Sequence, residues 1–225
     1  MSHYTLLIIG EEDVEKALYP FWELDLSQEE MKEDSRAEFI GFKKEDLEKE
    51  FEKFKEEHKD EIKKGEQEYW IKYRTCSAEE WLESWNGYYL NKEETQYGYY
   101  SNPNAKWDWY QIGGRWASMI KLKKDIDKSK YEKPNFSWGW DKKEIAKAKG
   151  VDSAYKEDIT LSSLKKLGTF AVLRDGKWFE KGSMGWWGIS SDTDEESEKW
   201  EKGFYNEFIK DLKGDTLLTI VDIHI

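Results

Sequence analysis

The sequence predicts an α+β protein, a largely antiparallel sheet whose first and last strands are central and whose helices pack against it. Three observations predict it. Residues 4–9 (Tyr-Thr-Leu-Leu-Ile-Ile) are an unbroken apolar run closed by Gly10, as expected of a strand covered on both faces. Residues 216–225 form a second, mostly apolar strand at the other end. Between them, Leu47, Phe51, Phe54, His58 and Ile62, and again Trp200, Phe204, Phe208 and Leu212, recur at steps of three and four, the stripe of a half-buried helix.

The elements follow in order. Residues 11–42 are acidic, broken by Pro20 and Gly41, and carry no assignable period. Residues 43–64 read as one helix with Gly65 as its C′ glycine and a solvated Glu/Lys face. Residues 68–74 read as a strand. Ser77-Ala78-Glu79-Glu80 has capping-box spacing and starts a helix carrying Trp81 and Trp85, closed by Gly87. Residues 88–106 read as a Tyr- and Asn-rich loop. Residues 107–122 read as strand, turn at Gly113-Gly114, and strand. Residues 123–168 are lysine-rich with two short helical candidates, one opened by Asp141-Lys142-Lys143-Glu144 and stopped near Gly150. Arg174-Asp175-Gly176 between residues 169–173 and 177–180 is a hairpin signal. Residues 184–189 suggest a short strand or tight loop.

Composition bounds the rest. The 225 residues carry 48 Asp+Glu against 36 Lys+Arg, a formal charge of −12. Apolar residues make up only 38%, yet 16% are aromatic, including 13 Trp and 13 Tyr, which reads as a charged shell around an aromatic core. No linker divides the chain, so one domain over 1–225 is expected, with charged helical insertions at about 43–66 and 123–150. The acidity argues against duplex nucleic acid and anionic membranes as partners. Cys76 is the single cysteine, which excludes a disulfide framework and a cysteine zinc site. The sequence names no metal and leaves the cofactor unknown. No segment has the apolar length of a membrane span, and residues 1–9 lack a basic leader, so a cytoplasmic location is expected.

Three stretches carry candidate chemistry. Residues 102–116 hold Trp107, Asp108, Trp109, Tyr110, Gly113, Gly114, Arg115 and Trp116. Glycines admit a close backbone approach, arginine suits phosphate, and flat rings take a nucleobase. The structural reading of the same residues is a tight hairpin with core tryptophans and an Asp108–Arg115 pair. Trp186 and Trp187 are adjacent, so on a strand one of them is exposed or lines a pocket unless both faces are covered. On the last strand Leu218, Ile220, Asp222 and His224 share a face, placing two titratable groups at its end, where Asp222 could orient His224 as a base or both could ligate a metal. His3-Tyr4-Thr5 is a single H-x-T. Two copies of such a strand are the working parts of two-histidine phosphoesterases, and the terminal His224-Ile225 lacks the hydroxyl partner. His224, Asp222 and His3 are the catalytic candidates; His58, on its helix stripe, reads as structural.

The string Asn102-Pro103-x-x-Lys106-Trp107-Asp108-Trp109-Tyr110-x-Ile112-Gly113-Gly114-Arg115-Trp116 resembles one found in a family of uncharacterised phage and prophage proteins. Gly182-x-Met184-Gly185-Trp186-Trp187-Gly188, the ending Thr216-Leu217-Leu218-Thr219-x-Val221-Asp222-x-His224-Ile225 and the His3-Tyr4-Thr5 opening fit the same group. The resemblance covers about half the chain and departs in the charged stretches at 43–66 and 123–150. It implies a mobile-element origin, the cytoplasm of a bacterial host, and a role in countering host defence. The function expected is a pocket binding a small nucleotide-like ligand such as a host-defence signal, with hydrolysis left open. The alternative is an acidic protein that inhibits a host defence or nucleic-acid enzyme by occupying its basic groove.

Overall fold

A computed structural model describes residues 2–84, 88–137, 139, 141–182 and 191–225, without the side chains of 142, 144 and 146. The chain forms two compact units, one from residues 1–23 and 104–225 and one from residues 24–103.

The first unit is organised by a sheet of β1 (His3–Ile9), β5 (Trp109–Ile112), β6 (Ser153–Tyr155), β7 (Ala171–Arg174), β8 (Lys177–Glu180) and β9 (Leu217–His224). The order is β5-β9-β1-β7-β8, and β6 also pairs with β9, beside the stretch of β9 that precedes its pairing with β5. Every pairing is antiparallel except β1 with β7. The first and last strands are therefore central, as the unbroken apolar run of the first and the mostly apolar run of the last predict. One face of β1 and β9 presents Leu7, Ile9, Leu218 and Ile220 to Phe204, Phe208, Ile209 and Leu164. The other presents Leu6, Ile8, Val221 and Ile223 to Val14, Leu18 and Trp107. Replacing one of these fully buried leucines by alanine costs about 2–5 kcal/mol. The expected hairpin is formed by β7 and β8, with both turn residues at positive φ (Asp175 51°, Gly176 68°). The helix Asp194–Phe204 opens on a capping box between Thr193 and Glu196 and continues into a π turn over Tyr205–Ile209.

The second unit holds a three-stranded sheet, β2 (Glu38–Lys43), β3 (Tyr89–Leu90) and β4 (Gln96–Ser101), in the order β2-β4-β3. Its core is aromatic: Phe51, Phe54, Tyr73 and Trp81 pack with Leu47 and Ile62. Four expectations change here or nearby. The helix expected over 43–64 begins only at Leu47 and breaks at His58 into Leu47–Glu57 and Lys59–Lys64. Gly65 is extended, φ −65°, not left-handed; its role is steric, since a Cβ would lie 2.4 Å from the Glu61 carbonyl oxygen and 2.6 Å from Trp70. Residues 68–72 are helical (Glu68–Lys72), because Trp70 and Tyr73, three apart, both turn onto Phe54. Residues 89–90 and 96–101, expected as loop, are strands whose close pairing depends on Gly41 lying opposite Gly98.

Candidate functional site

The site is built on β1, β9 and β5 at one end of the larger sheet. The antiparallel register sets His3 directly opposite His224, and His224 directly opposite Trp109. Residues two apart share a face, so the next row inward is Thr5, Asp222 and Gln111. Below that the same face becomes the apolar core at Leu7 and Ile220. The sheet thus carries two rows of polar residues and one exposed ring on top of its hydrophobic layer.

The two imidazoles stand 4.8 Å apart between ring centres, at 71° to one another. Each is tied to a carboxylate through Nδ1. His3 Nδ1 lies 2.7 Å from Asp222 Oδ1, and His224 Nδ1 lies 2.5 Å from Asp108 Oδ1. Asp222-x-His224 therefore does not act as a local pair: each histidine takes its aspartate from the neighbouring strand or the residue just before it. Asp222 Oδ2 accepts from the Arg115 backbone N–H at 2.9 Å, and with the carboxylate as acceptor at Oδ1 as well, His3 Nδ1 is the donor. With Asp108 as the acceptor of His224 Nδ1, both Nε2 atoms are left without a hydrogen-bond partner among the described residues. Both histidine side chains are near 13–14% exposed, while Asp222 is fully buried and Asp108 is 40% exposed.

Gly113 and Gly114 follow β5 at φ +76° and +56°. The expected hairpin is absent, since residues after the turn make only isolated bridges, at Ile120 with Val151 and Leu122 with Ile159. What approaches these glycines is a pair of buried carboxylates. A Cβ on Gly113 would sit 2.2 Å from Asp152 Oδ2, and one on Gly114 would sit 2.4 Å from Asp222 Cβ. Asp152 accepts the backbone N–H groups of Ser118 and Asn135, each at 2.6 Å. Burial nevertheless raises its pKa, with those two hydrogen bonds opposing the shift. Residues 135–137 dock on the turn: the Gly114 N–H donates to the Asn135 carbonyl at 2.8 Å, and Ser137 Oγ reaches Asp222 Oδ2 at 3.4 Å.

The other expected residues separate cleanly. Trp107 is core, its indole N–H donating to the Leu18 carbonyl at 3.0 Å. Tyr110 packs edge-on against Trp107 at 5.1 Å, and its hydroxyl pKa is raised, first by burial and then by the nearby Glu15 and Asp13. Trp116 packs against the core beneath β9. Trp109 is half exposed, at 49%, edge-on to His3 at 6.3 Å. Arg115 is exposed, and Asp108 pairs with His224 instead of with it. Trp186 and Trp187 lie outside the described residues. His58 packs between Phe54 and Trp70 in the other unit. Sequence reasoning missed Asp152, Asn135 and Ser137, for which no local motif exists, and missed Asp108 as the partner of His224. No group of three or more His, Cys, Asp or Glu is placed to hold a metal among the described residues.

Charge is unevenly shared. Residues 24–103 carry 13 Lys+Arg against 22 Asp+Glu, whereas the unit holding the site carries 23 against 26. Nine of the twelve net negative charges thus belong to the unit without the histidine pair. Residues 121–149, which include the docking segment 135–137, hold ten lysines against five acids.

Comparison with protein-family models, with curated proteins and with solved structures yields no match.

Proposed function

We propose that the chain binds a small nucleotide-like ligand at the His3–His224 end of the sheet and hydrolyses a phosphoester bond in it. The observation that carries this reading is the pair itself: two imidazoles 4.8 Å apart, each oriented through Nδ1 by its own carboxylate. One Nε2 takes the proton of a water molecule as its oxygen bonds to phosphorus. The other imidazole, entering as the imidazolium, gives its proton to the oxygen that leaves as the P–O bond breaks. Solvent then restores both. Positioned acid–base catalysis of this kind contributes about a hundredfold to ten-thousandfold in rate per group.

Trp109 offers a half-exposed ring face for a base, and Arg115 an exposed guanidinium for phosphate. The charge of −12 opposes an anionic ligand less than it first suggests, because the unit with the site is close to neutral and its docking stretch is lysine-rich. In the phage setting implied by the motifs, a nucleotide signal of host defence is the ligand that fits. The purified protein incubated with linear and cyclic nucleotides and NAD derivatives, then chromatographed before and after heat denaturation, tests this. A new product supports hydrolysis. A nucleotide that disappears and returns on heating supports sequestration without turnover. If every nucleotide passes unchanged, the reading falls.

One observation favours a second reading, the inhibitor of a host enzyme. The acidic unit concentrates the net charge and could meet a basic groove. Charge reversal along the helix Leu47–Glu57 would then abolish function while His3→Ala and His224→Ala would not.

A further inference from the structure

The two histidines are held in different ways. Asp108, the partner of His224, is 40% exposed and, among the described residues, makes one side-chain bond, to that histidine. Asp222, the partner of His3, has no exposure and is gripped from both sides: Oδ1 by His3, Oδ2 by the Arg115 N–H and, at longer range, by Ser137 Oγ. Its Cβ and Oδ2 also lie where a side chain on Gly114 would have to go, at 2.4 and 2.5 Å. The adjoining Gly113 is equally cramped and equally left-handed, but the group against it is Asp152, which makes no hydrogen bond to either histidine.

We infer that Gly114 is a positioning residue for His3: the missing side chain lets the turn close on Asp222, whose fixed carboxylate sets the tautomer and ring orientation of His3 alone. Ser137, delivered by the docking segment 135–137, is the second hold on the same oxygen. Gly113 has no such role, because its neighbour Asp152 serves the backbone of Ser118 and Asn135. The asymmetry makes His3 the preset member of the pair and His224 the member that adjusts, with solvent, to a ligand. This assignment rests on reading the pair as an acid–base site. Carboxylates that orient metal-bound histidines are worth about tenfold to a hundredfold in activity when removed, and an effect of that order is expected here.

The chain has three histidines, so the hydrogen-bonded Nδ1 protons can be followed by 15N-edited NMR and assigned with His3→Gln and His224→Gln. Gly114→Ala is expected to shift or abolish the His3 Nδ1 proton signal and leave that of His224 in place, while Gly113→Ala leaves both. Ser137→Ala, which introduces no clash, is expected to move the His3 signal in the same direction by a smaller amount. With a hydrolysed nucleotide in hand, Ser137→Ala lowers kcat about tenfold with KM unchanged. An unmoved His3 signal in both Gly114→Ala and Ser137→Ala overturns the inference, as does equal movement of the His224 signal. Should the glycine variants not fold, Ser137→Ala alone decides by the same criterion. If the wild-type protein turns over no nucleotide, the catalytic reading fails, while the NMR comparison still judges the positioning role.

Discussion

The unit with the large sheet has a mainly aliphatic core and the other an aromatic one, and the two place their carboxylates differently. Asp152, Asp158 and Asp222 are buried, and all three belong to the unit with the large sheet. The other unit has no buried carboxylate among its described residues; apart from Asp34, held by Arg36 two residues on, its ion pairs lie at the surface, several of them to lysines three or four residues away, as in Lys64–Asp60 and Lys59–Glu56. A carboxylate taken out of water must be repaid in hydrogen bonds, and those bonds fix the groups that make them. A carboxylate left in water fixes little. Charge density alone therefore points to one unit, and buried carboxylates point to the other, which holds the proposed site.

The largest effect should come from breaking that difference directly. Asp222→Ala strands the Arg115 N–H and the His3 Nδ1–H, each at a cost of about 1–3 kcal/mol for an unsatisfied buried donor. Asp60→Ala, in an exposed pair, should change stability by less than about 0.5 kcal/mol. Urea denaturation of the two variants compares them. Equal losses would dissolve the distinction between the units.

Next comes the exposed ring. Trp109 and Tyr99 are both large, exposed aromatics, one on each unit. Trp109→Ala should weaken binding of a nucleotide by about 1–3 kcal/mol, the worth of one stacked base, while Tyr99→Ala leaves it unchanged. Isothermal titration with the nucleotide identified by chromatography reads this, and a loss confined to Tyr99→Ala would move the site to the other unit.

The smallest effect is the pH response, and it has opposite signs in the two units. The guanidinium of Arg36, 2.6 Å from Asp34 in the acidic unit, holds that carboxyl down at about 2. A lowered value means stability that is present above the ordinary value of 3.8 and lost as pH falls toward 2. Burial raises Asp152 in the other unit. Its contribution is therefore present below 3.8 and lost as pH rises through the higher folded value. Stability measured from pH 2 to 6 on Asp34→Asn should lose the acid-side slope, and on Asp152→Asn the opposing one. Slopes of the same sign would contradict the burial of Asp152.

The fold was legible where one period dominated. The apolar runs at 4–9 and 216–225 announce two-sided strands, and Asp175-Gly176 announces the β7–β8 hairpin. Legibility failed where neighbours decide the period. Tyr69 and Ile71 alternate with Trp70 and read as a strand, until the pull of Phe54 on Trp70 and Tyr73 winds them into a helix. Residues 96–101 read as loop because their pairing rests on two glycines 57 residues apart in sequence, Gly41 and Gly98. At the proposed site, His3, Asp222 and His224 were visible, since strand alternation puts them on the faces they occupy, whereas Trp109 stood out only as one ring of an aromatic cluster. The exchange of partners was not visible. Only the register of β1 on β9 and of β5 on β9 gives Asp222 to His3 and brings Asp108 to His224. Asp152 and Ser137 lie 39 and 23 residues beyond the turn they serve, counting from Gly113 and Gly114, with no spacing to betray them.

The paired histidines are the centre of this account, and turnover in single-histidine variants tests them most directly. With the nucleotide that the wild-type protein converts, His3→Ala and His224→Ala should each lower the rate about a hundredfold to ten-thousandfold. His58→Ala, in the other unit, should leave it unchanged. A rate that survives the loss of His3 or His224, or falls only with His58, would contradict the assignment of the site.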